Sequence, residues 1–368
     1  MVSAMIAPPR FVLPNPRGHG RTLDGRDSVV VFLLLSAVIL ILALTKERFL
    51  PGYFFTDSKV IESFMLSGAS LTPGDGFQST AAVFRLMGAE RDSVFLPFVT
   101  GIFVYFSMVG NIWVANTKTV EFRELVLFVT FCLMATIYMT TLSKDILVLG
   151  LLVIRQVSRR ALGRAGMLLW LPLLALYAYY FRGYWFLVLI VYLSLTILLP
   201  KFRRLRSVGF VVMGALLLIA IVLYWKFGIA ADAFRTSINE IRTDNGDVNA
   251  RTMITPFISG GGFVSGYLNV CLTFIVFLIP IPLILKLSPY YWLIFLTIVA
   301  LQLNFWRKLA MDLRSCNSRK KTLDTPALVI AFIVVQSIFE PDYGSYVRHL
   351  SPFYGIIFGY MLNRIPSS

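Results

Sequence analysis

Charge and histidine are scarce in this chain of 368 residues. Only 14% of its residues are Asp, Glu, Lys or Arg, against about 25% in soluble domains. Hydrophobic residues make up 57% and the mean hydropathy is +0.76, which excludes a soluble globular domain and a disordered chain. With His19 and His349 as the two histidines, a multi-histidine metal centre is all but excluded. Three cysteines, Cys132 and Cys271 in apolar runs and Cys316 in a basic loop, offer neither metal spacing nor a disulfide framework. Gly260-Gly261-Gly262 does not fit a phosphate-loop motif. Neither metal, cofactor nor nucleic acid is expected.

What the chain has is long apolar runs. A spanning helix needs about 20 apolar residues, and candidate spans fall at 28–45, 94–115, 125–142, 165–181, 183–199, 207–225, 326–339 and 351–363. A shorter run, 146–154, extends back through Ser143-Lys144-Asp145, or is tilted, or is half a span. The stretch 263–306 is apolar but broken at Pro280-x-Pro282 and Ser288-Pro289, and reads as one crossing plus a partial segment. The expected fold is all-α, a polytopic helical membrane protein of about ten transmembrane helices. Residues 1–27, rich in Pro and Arg, read as a disordered basic cytoplasmic tail, and 28–368 as a single membrane domain.

The net charge of +15 first suggests an anionic partner. Its distribution says otherwise. Basic clusters lie at 155–164, 201–206 and 307–321, and Lys and Arg collect in cytoplasmic loops. The excess is therefore mostly a topology signal. It leaves 46–92, 226–262 and 340–350 as loops on the opposite side.

Those loops hold the candidate chemistry. Glu340-Pro341-Asp342-Tyr343-Gly344-Ser345-Tyr346-Val347-Arg348-His349 brings two carboxylates, two phenols, an arginine and a histidine between apolar runs, where ionisable groups raise the expectation of function. Ser345 could cap a following helix. Arg348 suits a phosphate, and His349 suits a general base or a phosphate donor. The plainer alternative is an Arg–carboxylate clamp fixing a turn. In 226–262, Phe234, Ile238 and Ile241 recur at helical spacing, with Arg235, Asn239 and Arg242 sharing the other face. This helix either lies on the leaflet with its basic face towards an anionic glycan or lipid phosphate, or is a solvated surface helix. Arg251 follows, near the glycines. Arg182, within Tyr179-Tyr180-Phe181-Arg182-Gly183-Tyr184-Trp185, is either a snorkelling belt residue or an arginine at a cavity mouth. Lys144 and Asp145 read as a mutually neutralising pair.

Taken together, Phe339–Pro352, Leu142-Ser143-Lys144-Asp145, Phe181-Arg182-Gly183-Tyr184, the segment around Asn249 and Arg251, and Ile281-Pro282-Leu283 resemble the Wzy-type polymerases of bacterial O-antigen and exopolysaccharide synthesis. The likeness runs as scattered patches from about residue 50 to the end. It implies a bacterial inner-membrane glycosyltransferase working at the periplasmic face without metal or nucleotide sugar. Its substrate would be an undecaprenyl-pyrophosphate-linked oligosaccharide, with membrane lipid, a flippase and a chain-length regulator as pathway partners. Under that resemblance Arg348, Arg251 and Arg182, with Arg235 and Arg242, are candidates to bind the leaving pyrophosphate. His349, Glu340 or Asp342 would orient or deprotonate the sugar hydroxyl, and Tyr343 and Tyr346 would pack on sugar. A lipid-linked glycan flippase or transporter, or an O-antigen ligase, are the competing readings.

Overall fold

Apolar runs of this length have to satisfy their backbone groups internally, and the chain does so almost wholly with helices. The computed structural model describes residues 10–13, 21–22, 25–89, 94–114, 119–244, 252–314 and 323–363. Five of the helices among the described residues are long and apolar enough to cross a membrane: Val29–Arg48, Phe95–Ile112, Phe122–Met139, Leu205–Phe227 and Pro289–Arg314. The chain is a helical membrane protein. Several other expected spans are shorter apolar helices, Ala165–Tyr180, Trp185–Lys201, Phe263–Leu278 and Asp324–Phe339.

The chain divides into two compact units, one of Met1–Gly183 with Leu350–Ser368, the other of Tyr184–His349. The first contains α1 (Gly25–Thr45), α2 (Thr56–Leu66), α3 (Gly76–Leu86), α4 (Phe95–Val114), α5 (Phe122–Met139), α6 (Lys144–Leu162) and α7 (Arg164–Tyr180). Asp75 caps α3, its carboxylate accepting from the amides of Phe77 and Gln78 at 3.0 Å each. Ser143 caps α6 in the same way through the Asp145 amide at 3.0 Å. The short run 146–154 therefore starts at Lys144 and continues past Arg155 as a 19-residue helix.

Much of the tail read as disordered lies outside the described residues. Arg10–Leu13 (β1) and Arg21–Thr22 (β2) are described, and they join Thr119–Glu121 (β3) in a small sheet of order β2-β1-β3. The first unit also takes the last helix of the chain, Tyr354–Leu362. It stacks Tyr354 on Phe131 at 5.0 Å and sets Gly355 and Gly359 against Asn111, where a Cβ would come within 2.8 Å of that residue.

The second unit contains α8 (Trp185–Leu198), α9 (Leu205–Phe227), α10 (Ala233–Asp244), α11 (Phe263–Leu278), α12 (Ile281–Ile284), α13 (Pro289–Arg314), α14 (Asp324–Phe339) and α15 (Tyr343–Leu350). The final helix, in the first unit, is then α16. Helix α14 is buried without interruption from Pro326 to Ile338, as expected of a helix apolar all round. Trp185 of α8 packs on its Phe332 at 5.9 Å. On α9 the outward positions are large and apolar, with Phe210 76% and Trp225 85% exposed, which suits lipid contact.

One isolated bridge organises this unit. Met253 pairs antiparallel with Asp342; the Ile254 amide donates to Pro341 O at 2.9 Å and the Tyr343 amide to Thr252 O at 3.1 Å. The chain leaves the bridge through α11 and returns to it through α14. Helix α11 stays beside the bridge, touching it and its surroundings at Asn269, Thr273 and Phe277. Helix α13 runs from there to the start of α9, where Ala310 and Arg314 share a cavity with Arg203–Arg206. The expected break at Pro280-x-Pro282 is the point where α11 has ended at Leu278, and α13 restarts at Pro289.

Candidate functional site

Helix α10 has the amphipathic pattern read from the sequence, but turned inward. Its polar residues Arg235 and Asn239 are buried, whereas Phe234, Ile238 and Ile241 are exposed at 45%, 39% and 58%. Water would reverse this arrangement; a lipid surface permits it, because the apolar stripe then meets hydrocarbon and the polar face turns to protein. Gly228, at φ 69°, ends α9 in the left-handed conformation and lets the chain turn towards α10. Gly266 of α11 lies so close to this turn that a Cβ would meet the Ala231 amide at 2.8 Å and Ala230 Cβ at 2.9 Å.

The polar face of α10 grips the bridge. Asn239 Nδ2 donates to Ile254 O at 3.1 Å and to Pro341 O at 3.3 Å, one carbonyl from each partner segment. Arg242 Nη1 pairs with Asp342 Oδ2 at 2.7 Å. The other carboxylate oxygen of Asp342 accepts from the Ser345 amide at 2.7 Å, so Asp342 caps α15. The expected cap, Ser345, instead supplies the capped amide. Pro341 and Asp342 are thus held from three directions, and α15 begins from a fixed point.

Glu340, the residue after α14, sets its Oε2 2.7 Å from Nδ1 of His349 on α15, and Arg348 Nη2 lies 3.4 Å from His349 Nε2. An ionised carboxylate only accepts and a guanidinium only donates. Neutral His349 therefore carries its proton on Nδ1 and presents the Nε2 lone pair on the Arg348 side. That is the tautomer a general base needs, with the carboxylate placed to stabilise the imidazolium after proton uptake.

Arg235 is the most deeply placed cation of the set, fully buried. Its Nη1 donates to Thr273 Oγ1 at 2.5 Å and to Ser337 O at 3.1 Å. Its Nε and Nη2 have no hydrogen-bond partner among the described residues, nor does the Tyr343 hydroxyl. Burial pushes the Arg235 guanidinium down to about 10, opposed by the charges of Asp232 and Tyr343, so it stays protonated at neutral pH. Burial likewise pushes the Tyr343 phenol up, with Arg235 opposing, so that hydroxyl keeps its proton and is a donor. Two guanidinium nitrogens and a phenol are thus left unsatisfied on residues that interact electrostatically with each other, and charged donors of this kind suit an anion.

Of the residues expected to carry function, the second unit brings together Glu340, Asp342, Tyr343, Tyr346, Arg348, His349, Arg235 and Arg242. Tyr346 has a packing place there, not a sugar-facing one: its ring is fully buried, stacked on Phe277 at 3.9 Å and 2°. Arg182 belongs to the first unit and pairs with Asp145 at 3.0 Å. Lys144 Nζ sits 3.3 Å over the Phe77 ring. Arg251 lies outside the described residues. Among the described residues no group of three or more His, Cys, Asp or Glu gathers to hold a metal.

Two contributors went unread in the sequence. Asn269 donates to Asp232 at 2.8 Å and accepts from the Ile258 amide at 2.8 Å, tying the loop to α11. Thr273, one turn on, meets Arg235. The available signal was an Asn and a Thr at i, i+4 within an apolar run, a spacing that puts both on one face.

No family model, curated protein or solved structure matches this chain.

Proposed function

We propose that this protein is a bacterial inner-membrane glycosyltransferase of about ten traversals that polymerises lipid-linked oligosaccharide repeat units. The growing chain passes from undecaprenyl pyrophosphate to the sugar end of a new unit at the periplasmic face. The observation that carries this reading is the Glu340–His349–Arg348 arrangement, in the same unit as the unsatisfied guanidinium of Arg235. A base with a fixed tautomer and cations for a departing diphosphate are the two requirements of the transfer.

In the reaction, His349 Nε2 takes the proton of the acceptor hydroxyl as its oxygen attacks the anomeric carbon. The bond from that carbon to the pyrophosphate oxygen breaks, and the leaving group departs with the electron pair. Glu340 holds the imidazole and balances its new charge. Arg348, released from His349 Nε2 towards the diphosphate, and Arg235 stabilise the charge developing on the leaving oxygen. Asp342 and Arg242 position α15 and do not touch the reacting atoms. Membrane lipid surrounds the site, and a flippase and a chain-length regulator are the expected pathway partners.

The test is reconstitution with an undecaprenyl-pyrophosphate-linked repeat unit. A ladder of chain lengths from the wild type, absent in a stably folded His349→Ala variant, is the expected result. Translocation of intact units without elongation would identify a flippase, and transfer to a lipid A core acceptor a ligase.

A further inference from the structure

At the other end of α9, away from the cluster just described, the second unit has a cavity of about 530 Å3 lined by Arg203, Arg204, Leu205, Arg206, Ala310 and Arg314. It is an open hollow bordered by four exposed arginines, and no carboxylate lines it. Among the described residues none of the four makes an ion pair or hydrogen bond that would neutralise it. The first turn of α9 borders the same place with no side-chain cap and no acidic residue; the Ser207 amide donates to Arg204 O at 3.1 Å. A phosphate oxygen suits both the guanidiniums and the amides at a helix start.

The surroundings indicate which phosphate. Helices α9 and α13, which form the walls, are both candidate membrane spans. Just beyond the cavity they expose large apolar side chains, Phe210 at 76% on α9 and Met311 at 49% and Leu303 at 62% on α13. A charged hollow at a helix end, continuous with apolar helix surface, matches a molecule with a phosphate head and hydrocarbon tails. Basic pockets between spanning helices on the positively charged side are where anionic headgroups bind.

We propose that this cavity is a headgroup site for an anionic phospholipid of the leaflet at that end, with the acyl chains lying along Phe210 and Met311. The site is separate from the transfer chemistry, and its occupancy fixes the level of α9 and α13 in the bilayer.

The test titrates the purified full-length protein in detergent with phosphatidylglycerol or with phosphatidylcholine of the same acyl chains, following bound lipid by native mass spectrometry. Phosphatidylglycerol is expected to bind about tenfold more tightly. The variant Arg203→Gln/Arg204→Gln/Arg206→Gln/Arg314→Gln is expected to lose that preference. The single variants Arg206→Gln and Arg314→Gln, which disturb folding less, are each expected to lower it about threefold. An unchanged preference in both single variants overturns the proposal. So does full displacement of the lipid by millimolar inorganic phosphate, which would make the cavity a site for a soluble anion.

Discussion

Asn239 joins two strands of chain that are otherwise far apart in sequence, donating from one amide nitrogen to Ile254 O and to Pro341 O. Through this residue the position of α10 and the starting point of α15 become one structural variable. Glu340 flanks Pro341, and His349 and Arg348 lie on the helix that starts from this point.

Replacing Asn239 with Ala takes the side-chain donor from Ile254 O, whereas Pro341 O keeps the Ile254 amide. Each unsatisfied buried group costs about 1–3 kcal/mol, so a clear fall in melting temperature in detergent is expected. The mutation also loosens α15, so chain extension should fall further than an equal destabilisation elsewhere would cause. An exposed-surface control such as Glu240→Ala should change neither measurement.

Arg235 separates stability from function. A buried guanidinium with two unpartnered nitrogens is costly to fold around. Arg235→Met, close in length and apolar, is therefore expected to leave the melting temperature unchanged or raise it. Chain extension should nevertheless drop by at least about a hundredfold if the guanidinium stabilises the departing charge. A variant that is both stable and active would remove Arg235 from the site.

His349 and Glu340 should differ in degree. His349→Ala removes the base, and a loss of about 100- to 10,000-fold is typical of such groups. Glu340→Gln still offers an oxygen to Nδ1 but no negative charge for the imidazolium, so a smaller loss is expected. Single-turnover rates with the lipid-linked unit, at matched amounts of inserted protein, measure the difference.

Gly266→Ala addresses packing. The added methyl meets the backbone of Ala231 and the side chain of Ala230 inside normal contact distance. Overpacking of this kind costs about 1–3 kcal/mol, and it displaces α11 from the 230–232 turn that Asn269 holds. Melting in detergent checks the loss of stability; Gly261→Ala, with nothing nearby, is the control.

In the first unit, Arg182 and Asp145 form a pair that is almost fully buried, at 7% and 2% side-chain exposure. Removing one partner strands the other, at a cost of about 3–5 kcal/mol. Arg182→Ala is thus expected to reduce the amount of folded protein. Loss of activity in step with loss of protein would mark Arg182 as structural, whereas inactive protein at normal abundance would mark a direct role.

The sequence by itself determined that this is a helical membrane protein, roughly where its helices break, and that 340–350 and 226–262 are the chemically rich loops. These are local properties: apolar length, helical spacing and proline positions are written in consecutive residues. The face shared by Arg235, Asn239 and Arg242 was legible for the same reason. Tertiary structure alone decided which way that face turns. In water the apolar stripe of α10 would be the buried one, and only the lipid-facing position of the helix reverses it. It also decided that Asp342, not Ser345, caps α15, that Tyr346 belongs to the core against Phe277, and that Asp145 pairs with the distant Arg182. Each of these depends on which distant segments the helices return to one place, and spacing along the chain carries no record of that.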